Sequence, residues 1–407
     1  MRWSIYLNDH FMKFWEKRIY ADAAAATPLS VRVQKEMTRL GGLFGNPGGL
    51  HKEAVEAKRE LEQARERAAG ALGARADEIV FTSGGTEANN LAIFGTLRAL
   101  LHEHGELNAI TTPIEHPSVL EPLRALEREG LYITYLAVDG EGCVDAKELR
   151  GAINEQTVFV SVQMVNSEVG TIQDIREIAK EIRHKRLLRR ATPIYFHTDA
   201  SQAPLWLPLN VEKLGVDLMT IDAQKIMGPK SSGLLFLRRG VDLEPLLYGG
   251  GQEAGVRSGT ENVVLAGALA LALADAQKSP ETLSSQTAAV RDYLWNLLRA
   301  VFPDAKLHGP QGERRVANNL NFSIPGLYGQ MAVVALDVHG VAASTRSACS
   351  AADEEPSHVL QALQVAEERA QEAIRITLLP TATMRDARVV VTAFKKVAMR
   401  YRNVVDL

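Results

Sequence analysis

Two cysteines in 407 residues, Cys143 and Cys349, are too few for a disulfide-stapled scaffold. They could form one bridge at most, and a reduced pair is expected, so the question becomes whether either thiol is reactive. An excess of one charge is also missing: 46 Lys and Arg stand against 49 Asp and Glu, a net charge of −3. Bulk electrostatics therefore offers no grip on nucleic acid or a membrane surface. No apolar run approaches the roughly 18 uncharged residues of a membrane span. The nearest, Val263 to Ala274, is too short and reads as a buried helix. The opening residues include Arg2, Asn8, Asp9, His10, Lys13, Glu16 and Lys17, too polar for the core of a cleavable leader. The expected location is cytoplasmic. No internal repeat or low-complexity tract occurs, and the length allows two domains that share a cleft.

What is present is strand–helix alternation. Short β-rich runs lie at Ile79–Thr82, Ala109–Thr112, Tyr132–Leu136, Val158–Val162, Ile194–His197, Leu218–Ile221 and Gly233–Leu237. Amphipathic helices separate several of them, as in Glu53 to Leu72, where Ala57, Leu61, Ala64, Ala68 and Leu72 recur at helical spacing. This pattern predicts an α/β fold: a large domain with a mostly parallel seven-stranded sheet sandwiched by helices. From about residue 280 the texture changes to a long helix (Thr282 to Val301), strands at Asn319–Ser323 and Ile374–Thr377, and further helices. The expected division is 1–28 as a segment packing with the small domain, 29–279 as the large domain and 280–407 as a smaller α+β domain. The basic run Arg183, His184, Lys185, Arg186, Arg189 and Arg190 reads as a solvated helix end.

In an open parallel sheet, ligands collect beyond the carboxyl ends of the strands. After the first strand comes Ser83-Gly84-Gly85-Thr86-Glu87, a glycine-rich turn opening a helix, suited to an anion. After the second comes His116, which either stacks on a planar ligand or caps the next helix. Asn166 follows another strand, and Asp199 and Gln202 follow the next. A carboxylate buried there needs a cation, and a protonated pyridine nitrogen is one. Lys225 follows the next strand, before Gly228-Pro229; desolvated beside a cofactor, its amine could form a Schiff base.

At this point the sequence resembles a family. The phosphate turn, Asp199 to Gln202, and Lys225 to Lys230 in this order are similar to fold-type I pyridoxal-phosphate enzymes. Phe44-Gly45-Asn46-Pro47, Val165 to Gly170, Gly249 to Glu253, Arg257 to Asn262, and Ser347-Ala348-Cys349-Ser350 with Glu355-Pro356-Ser357 resemble the cysteine desulfurases. The likeness runs from about Ile19 to Asp386 and fits the subgroup with a long catalytic loop, which serves iron–sulfur cluster assembly.

The resemblance implies pyridoxal 5'-phosphate as cofactor and L-cysteine as substrate. Lys225 would hold the cofactor, Asp199 its ring nitrogen, and Gln202 and Asn166 its hydroxyl, with His116 on the ring face. Gly85 and Thr86, with Asp222 and Gln224 before the lysine, would form the phosphate cup. Thr260 would reach that cup from the second subunit of a homodimer. Asn46, Asn166 and Arg375 would bind substrate, Arg375 clamping its carboxylate. Cys349 would take the sulfur as a persulfide and pass it to an acceptor, an iron–sulfur scaffold or a tRNA-thiolation carrier. Arg346 and His116 are candidates to help ionise its thiol, and Cys143 reads as structural. No metal ion is implied.

Asp222 and Gln224 replace the family's usual hydroxyl and histidine donors. An ionised Asp222 would oppose the phosphate by about 4 kcal/mol at ~4 Å, so Asp222 must point away, carry a proton or meet a cation such as Arg257, the first or the third being expected. Ala254, Arg346 and Leu379-Pro380 are further departures. The rival functions are a selenocysteine lyase or related β-lyase, a catalytically impaired binding platform, and an ordinary aminotransferase.

Overall fold

The computed structural model describes residues 18–103, 106–188, 193–345 and 357–405. Its twelve strands in these segments are β1 (Ile19–Tyr20), β2 (Ile79–Thr82), β3 (Asn108–Thr111), β4 (Tyr132–Tyr135), β5 (Thr157–Ser161), β6 (Tyr195–Asp199), β7 (Leu218–Asp222), β8 (Gly233–Leu237), β9 (Lys306–Leu307), β10 (Asn319–Ser323), β11 (Val341–Ala342) and β12 (Ala373–Thr377). Seven of them form the large sheet in the order β2-β8-β7-β6-β5-β3-β4. The pairs from β7 through β6, β5 and β3 to β4 are parallel, whereas β8 runs antiparallel to both β7 and β2. The expected mostly parallel sheet is therefore present, with one reversed strand.

Its inner strands are apolar on both faces because helices cover both. β5 and β7 are buried at every position, whereas β4 is half-exposed at the edge. On one side Lys52–Leu72 and Val263–Ala276 pack together, their alanines letting the helices approach closely. On the other, Gly85–Glu103 and Pro117–Arg128 cover Val80, Ala109, Val158 and Leu218. A separate core gathers Ile19, Ala21, Leu294, Leu298, Phe322, Ile374, Ile376 and Phe394. It is built on the three-stranded sheet β12-β10-β9 and the helices Pro280–Val301 and Met384–Val405. β1 joins it by pairing in parallel with β11. Arg18 reinforces that pairing through an ion pair with Asp337.

In the basic run, Arg186 binds the Ile194 carbonyl and Asp217, and Lys185 donates to the Ile153 carbonyl at 3.0 Å. Two of its charges thus hold the helix end rather than merely solvate it. Arg189 and Arg190, like Trp3, Ile5, Tyr6, Phe11, Met12, Phe14 and Trp15 at the amino end, lie outside the described residues. Among the described residues, no helix is long and apolar enough to cross a membrane.

Candidate active site

The carboxyl ends of β6 and β7 and the helix that follows β2 enclose a cleft of about 160 Å³. Its lining includes Gly85, Thr86, His116, Asp199, Gln202, Asp222, Gln224, Lys225 and Arg375. Residues far apart in the chain and expected at one site are thus brought together.

The turn after β2 is set by glycine. Gly84 has φ +153°, and a Cβ on Gly233 of β8 would lie 2.4 Å from the Gly84 carbonyl carbon. The helix Gly85–Glu103 therefore starts hard against the sheet, and a Cβ on Gly85 would meet Asp222 at 3.1 Å and Ser201 Oγ at 3.2 Å. Gly85 and Thr86 at this helix start line the cleft, and a helix N-terminus suits a phosphate.

Lys225 follows β7 in a tight turn. Its Nζ donates to the carbonyls of Ala24 at 2.9 Å and Ala25 at 2.6 Å. Thr27 fixes the turn itself: its N–H and hydroxyl both bond the Gln224 carbonyl at 2.8 Å, and its Oγ1 accepts from Met227 N at 2.7 Å. Met227 is held at φ 60°, a strained conformation that these bonds offset.

Asp199 ends β6 with both oxygens occupied, Oδ1 by Ser201 N at 2.9 Å and Oδ2 by Asn89 Nδ2 at 2.8 Å. His116 fills both roles left open by the sequence: it lines the cleft, and its Nδ1 caps Pro117–Arg128 by accepting from Ser118 N at 3.1 Å. Burial pushes its pKa down, with Lys225 adding to the effect against Asp199. Gln202 donates to the Ala24 carbonyl at 2.9 Å. Arg375 is 1% exposed; Nη2 meets Asp22 at 2.7 Å, Nη1 the Ser167 carbonyl at 3.2 Å, and Nε is buried without a hydrogen-bond partner. A guanidinium in the wall of the cleft suits an acidic ligand.

Asp222 departs from expectation. It neither turns away from the cleft nor meets Arg257, whose guanidinium binds Glu87 at 2.8 Å instead. Its carboxyl accepts from Gln224 N at 3.2 Å and Gln224 Nε2 at 2.9 Å. Burial raises its pKa, only partly opposed by Gln224 and Lys225. The remaining way to avoid opposing a phosphate is to carry a proton.

Three expected residues lie elsewhere. Asn166 sits between the cleft-lining Val165 and Ser167, but its amide is engaged inside the chain. Its Nδ2 bonds the Ile114 carbonyl at 3.1 Å, and its Oδ1 accepts from Glu168 N and Val169 N. Asn46 is in an exposed loop, accepting from Gly48 N at 2.9 Å. Thr260 lines a second cavity of about 220 Å³ with Ser83, Glu253 and Arg257. Cys349 and Arg346 lie outside the described residues. Cys143 is half-buried with a pKa raised by burial, its sulfur 3.6 Å from Arg314 Nη1.

Residues that the sequence reading missed are Asn89, Ser118, Ser201, Thr27, Asp22 and the carbonyls of Ala24 and Ala25. Asn89 was within reach: it lies one helical turn after Gly85 and so shares its cleft-facing side. A short alanine run carries no comparable chemical signal.

The set fits pyridoxal phosphate: an amine, an anchored carboxylate, an imidazole and a helix N-terminus around one cavity. Fold and cleft together define a fold-type I pyridoxal-phosphate enzyme. Residues 19–390 match the class-V aminotransferase family. Cysteine desulfurase IscS of Dictyoglomus turgidum is 40% identical over 394 residues, 96% of either chain. A putative cysteine desulfurase IscS 1 of Bacillus subtilis is 39% identical over 371 residues, 89% of this chain and 93% of its own. A solved NifS-like protein superposes with a TM-score of 0.86 at 33% identity, covering 96% of this chain and 100% of that one. SspA in complex with cysteine gives 0.76 at 31%, covering 90% and 100%. The chain belongs to the class-V aminotransferase family, on its cysteine desulfurase branch.

Proposed function

We propose that this chain is a pyridoxal-phosphate-dependent cysteine desulfurase that converts L-cysteine to L-alanine and carries the sulfur on Cys349 as a persulfide. The observation that supports it most is the convergence of Lys225, Asp199, His116 and Arg375, from four different elements, on one cleft.

Pyridoxal phosphate supplies an electron sink that loosens bonds around the α-carbon of an amino acid. The chain does the rest. Lys225 holds the cofactor, and its turn, braced by Thr27, keeps the amine directed into the cleft. Asp199, held by Asn89 and Ser201, would stand at the ring nitrogen. The amides of Gly85 and Thr86 receive the phosphate. Gln224 presents a further donor at that end, and Gln202 stands near Ala24 and the amine. Arg375, in the cleft wall, would take the substrate carboxylate. The Cys349 thiolate then attacks the substrate sulfur: an S–S bond forms as the Cβ–S bond breaks, its electron pair stays with carbon, and alanine leaves after protonation. Asn166 acts on this site by shaping the turn that offers Val165 and Ser167 to the cleft.

The working unit is a homodimer. Thr260 lines a second cavity and not the Lys225 cleft, which supports its serving the phosphate of a partner subunit. Phe44, Leu50, Leu247 and Tyr248 are exposed apolar residues on the loops that carry Asn46 and lead toward Thr260. Such surface is expected to be covered by a neighbour. The small domain, from about residue 280, contains Cys349 in its sequence. The sulfur acceptor is an iron–sulfur scaffold or a tRNA-thiolation carrier protein.

The visible spectrum tests the reading. A Schiff-base band near 400 nm should appear on adding cofactor and be lost in Lys225→Ala, and L-cysteine should release alanine. A protein that stays colourless would overturn it in favour of a binding platform.

A further inference from the structure

His116 belongs to a chain of short hydrogen bonds that fixes where its proton sits. Its Nδ1 accepts the backbone N–H of Ser118 at 3.1 Å and lies 2.7 Å from Ser118 Oγ. A backbone N–H can only donate, so Nδ1 carries no proton. Ser118 Oγ is itself 2.8 Å from Asn89 Nδ2, which donates to it, so the hydroxyl proton is directed at Nδ1. The same Nδ2 gives its second hydrogen to Asp199 Oδ2 at 2.8 Å. Rotating the Asn89 amide would set its oxygen against that carboxylate, so the direction of the whole chain is fixed from Asp199 outward. Asn89 is 1% and Ser118 8% exposed, so water does not compete for these bonds.

We propose that Asn89 and Ser118 are positioning residues that lock His116 in its neutral tautomer with the proton on Nε2, coupled through Asn89 to the Asp199 carboxylate. His116 then meets the cleft as a hydrogen-bond donor and cannot serve as the base that ionises Cys349. To act as a base at Nε2 the ring would need its proton on Nδ1, where it would collide with the Ser118 N–H and undo the cap of Pro117–Arg128. The groups bearing on the ring are Asp199, Asp222, Lys225 and His358, two acidic and two basic, so no single charge forces imidazolium. The Glu115 carboxyl next to it in sequence is buried, its pKa pushed up to about 8, which keeps it protonated near neutral pH. The coupling to catalysis rests on the reading of the cleft as the cofactor site, whereas the tautomer itself does not.

The test is nitrogen NMR of histidine-labelled protein, read with and without pyridoxal phosphate, with His116→Gln to assign the signal. His116 should show Nδ1 as bare and Nε2 as protonated, without titrating between about pH 5 and 8. Ser118→Ala and Asn89→Ala should fold and loosen this state, giving a ring that titrates or populates both tautomers. Asn89→Ala should also weaken cofactor retention by about tenfold, as Asp199 loses a bond to a charged group. Asn89→Asp, which puts a carboxylate against Asp199, should be worse than Asn89→Ala. A wild-type ring that titrates normally, or that carries its proton on Nδ1, overturns the proposal. So does an unchanged tautomer in both variants, because a merely structural pair would lower stability without moving the proton. Cofactor retention unchanged in Asn89→Ala, with the tautomer loosened as expected, would overturn the cleft assignment instead.

Discussion

Replacing Asp222 by asparagine should make cofactor binding tighter, and increasingly so as pH rises. The Asp222 carboxyl lies at the mouth of the Gly85 helix start, where a Cβ on Gly85 would sit 3.4 Å from its Oδ2. Burial raises its pKa above the ordinary aspartate value. Below that pKa the group is neutral and does not oppose a phosphate. Above it the carboxylate meets phosphate charge, and two unit charges ~4 Å apart at an effective dielectric of ~20 repel by about 4 kcal/mol. At about 1.36 kcal/mol per decade, wild-type affinity should fall by up to about a thousandfold as pH climbs through the Asp222 titration. The Asp222→Asn variant has no charge to develop there, keeps the Gln224 contact through its carbonyl oxygen and should give a flatter profile. The sign follows from linkage: an acid whose raised pKa is raised further by a bound anion takes up a proton with the ligand, so binding weakens with increasing pH. Equilibrium dialysis of apo-protein against pyridoxal phosphate across a pH series measures this directly. Parallel wild-type and variant profiles would refute the reasoning.

Two further substitutions probe the frame. Arg375→Lys keeps the charge but loses the planar fork, so KM for L-cysteine should rise about ten- to hundredfold, the worth of one charged hydrogen bond, with the cofactor spectrum unchanged; steady-state alanine release checks it. Gly233→Ala drives a Cβ to 2.4 Å from the Gly84 backbone and should cost about 1–3 kcal/mol of overpacking while weakening cofactor retention, seen by denaturant unfolding and absorbance.

All seven strands of the large sheet are legible as short β-rich runs; inner ones such as β5 and β7 are strongly apolar because helices bury both their faces, whereas β4 at the edge is half-exposed. Their ends slip by about one residue, as in Ala109–Thr112 against the observed β3 at Asn108–Thr111, since register depends on partners rather than on local pattern. The reversal of β8 was not read, although the connection from Asp222 to Gly233 is too short for the crossover that parallel strands need. β1, β9 and β11, two residues each, carry no periodicity at all. In the site, Lys225, Asp199, His116 and Arg375 announce themselves by chemistry at strand ends. Asp22, Thr27, Ala24 and Ala25 do not, because they act through backbone carbonyls, a hydroxyl braced on a distant turn and a long-range ion pair. The Asp222–Gln224 bond was missed for the opposite reason: the sequence suggested a remote cation, and the structure supplies a neighbour two residues away.

The most direct test of the account is mass spectrometry of the peptide containing Cys349 after a single turnover with L-cysteine. The account predicts one added sulfur atom on that peptide, removable by a thiol reductant, formed in step with alanine, and absent in both Lys225→Ala and Cys349→Ala. Alanine formed at the wild-type rate by Cys349→Ala, or sulfur found on Cys143 instead, would contradict it.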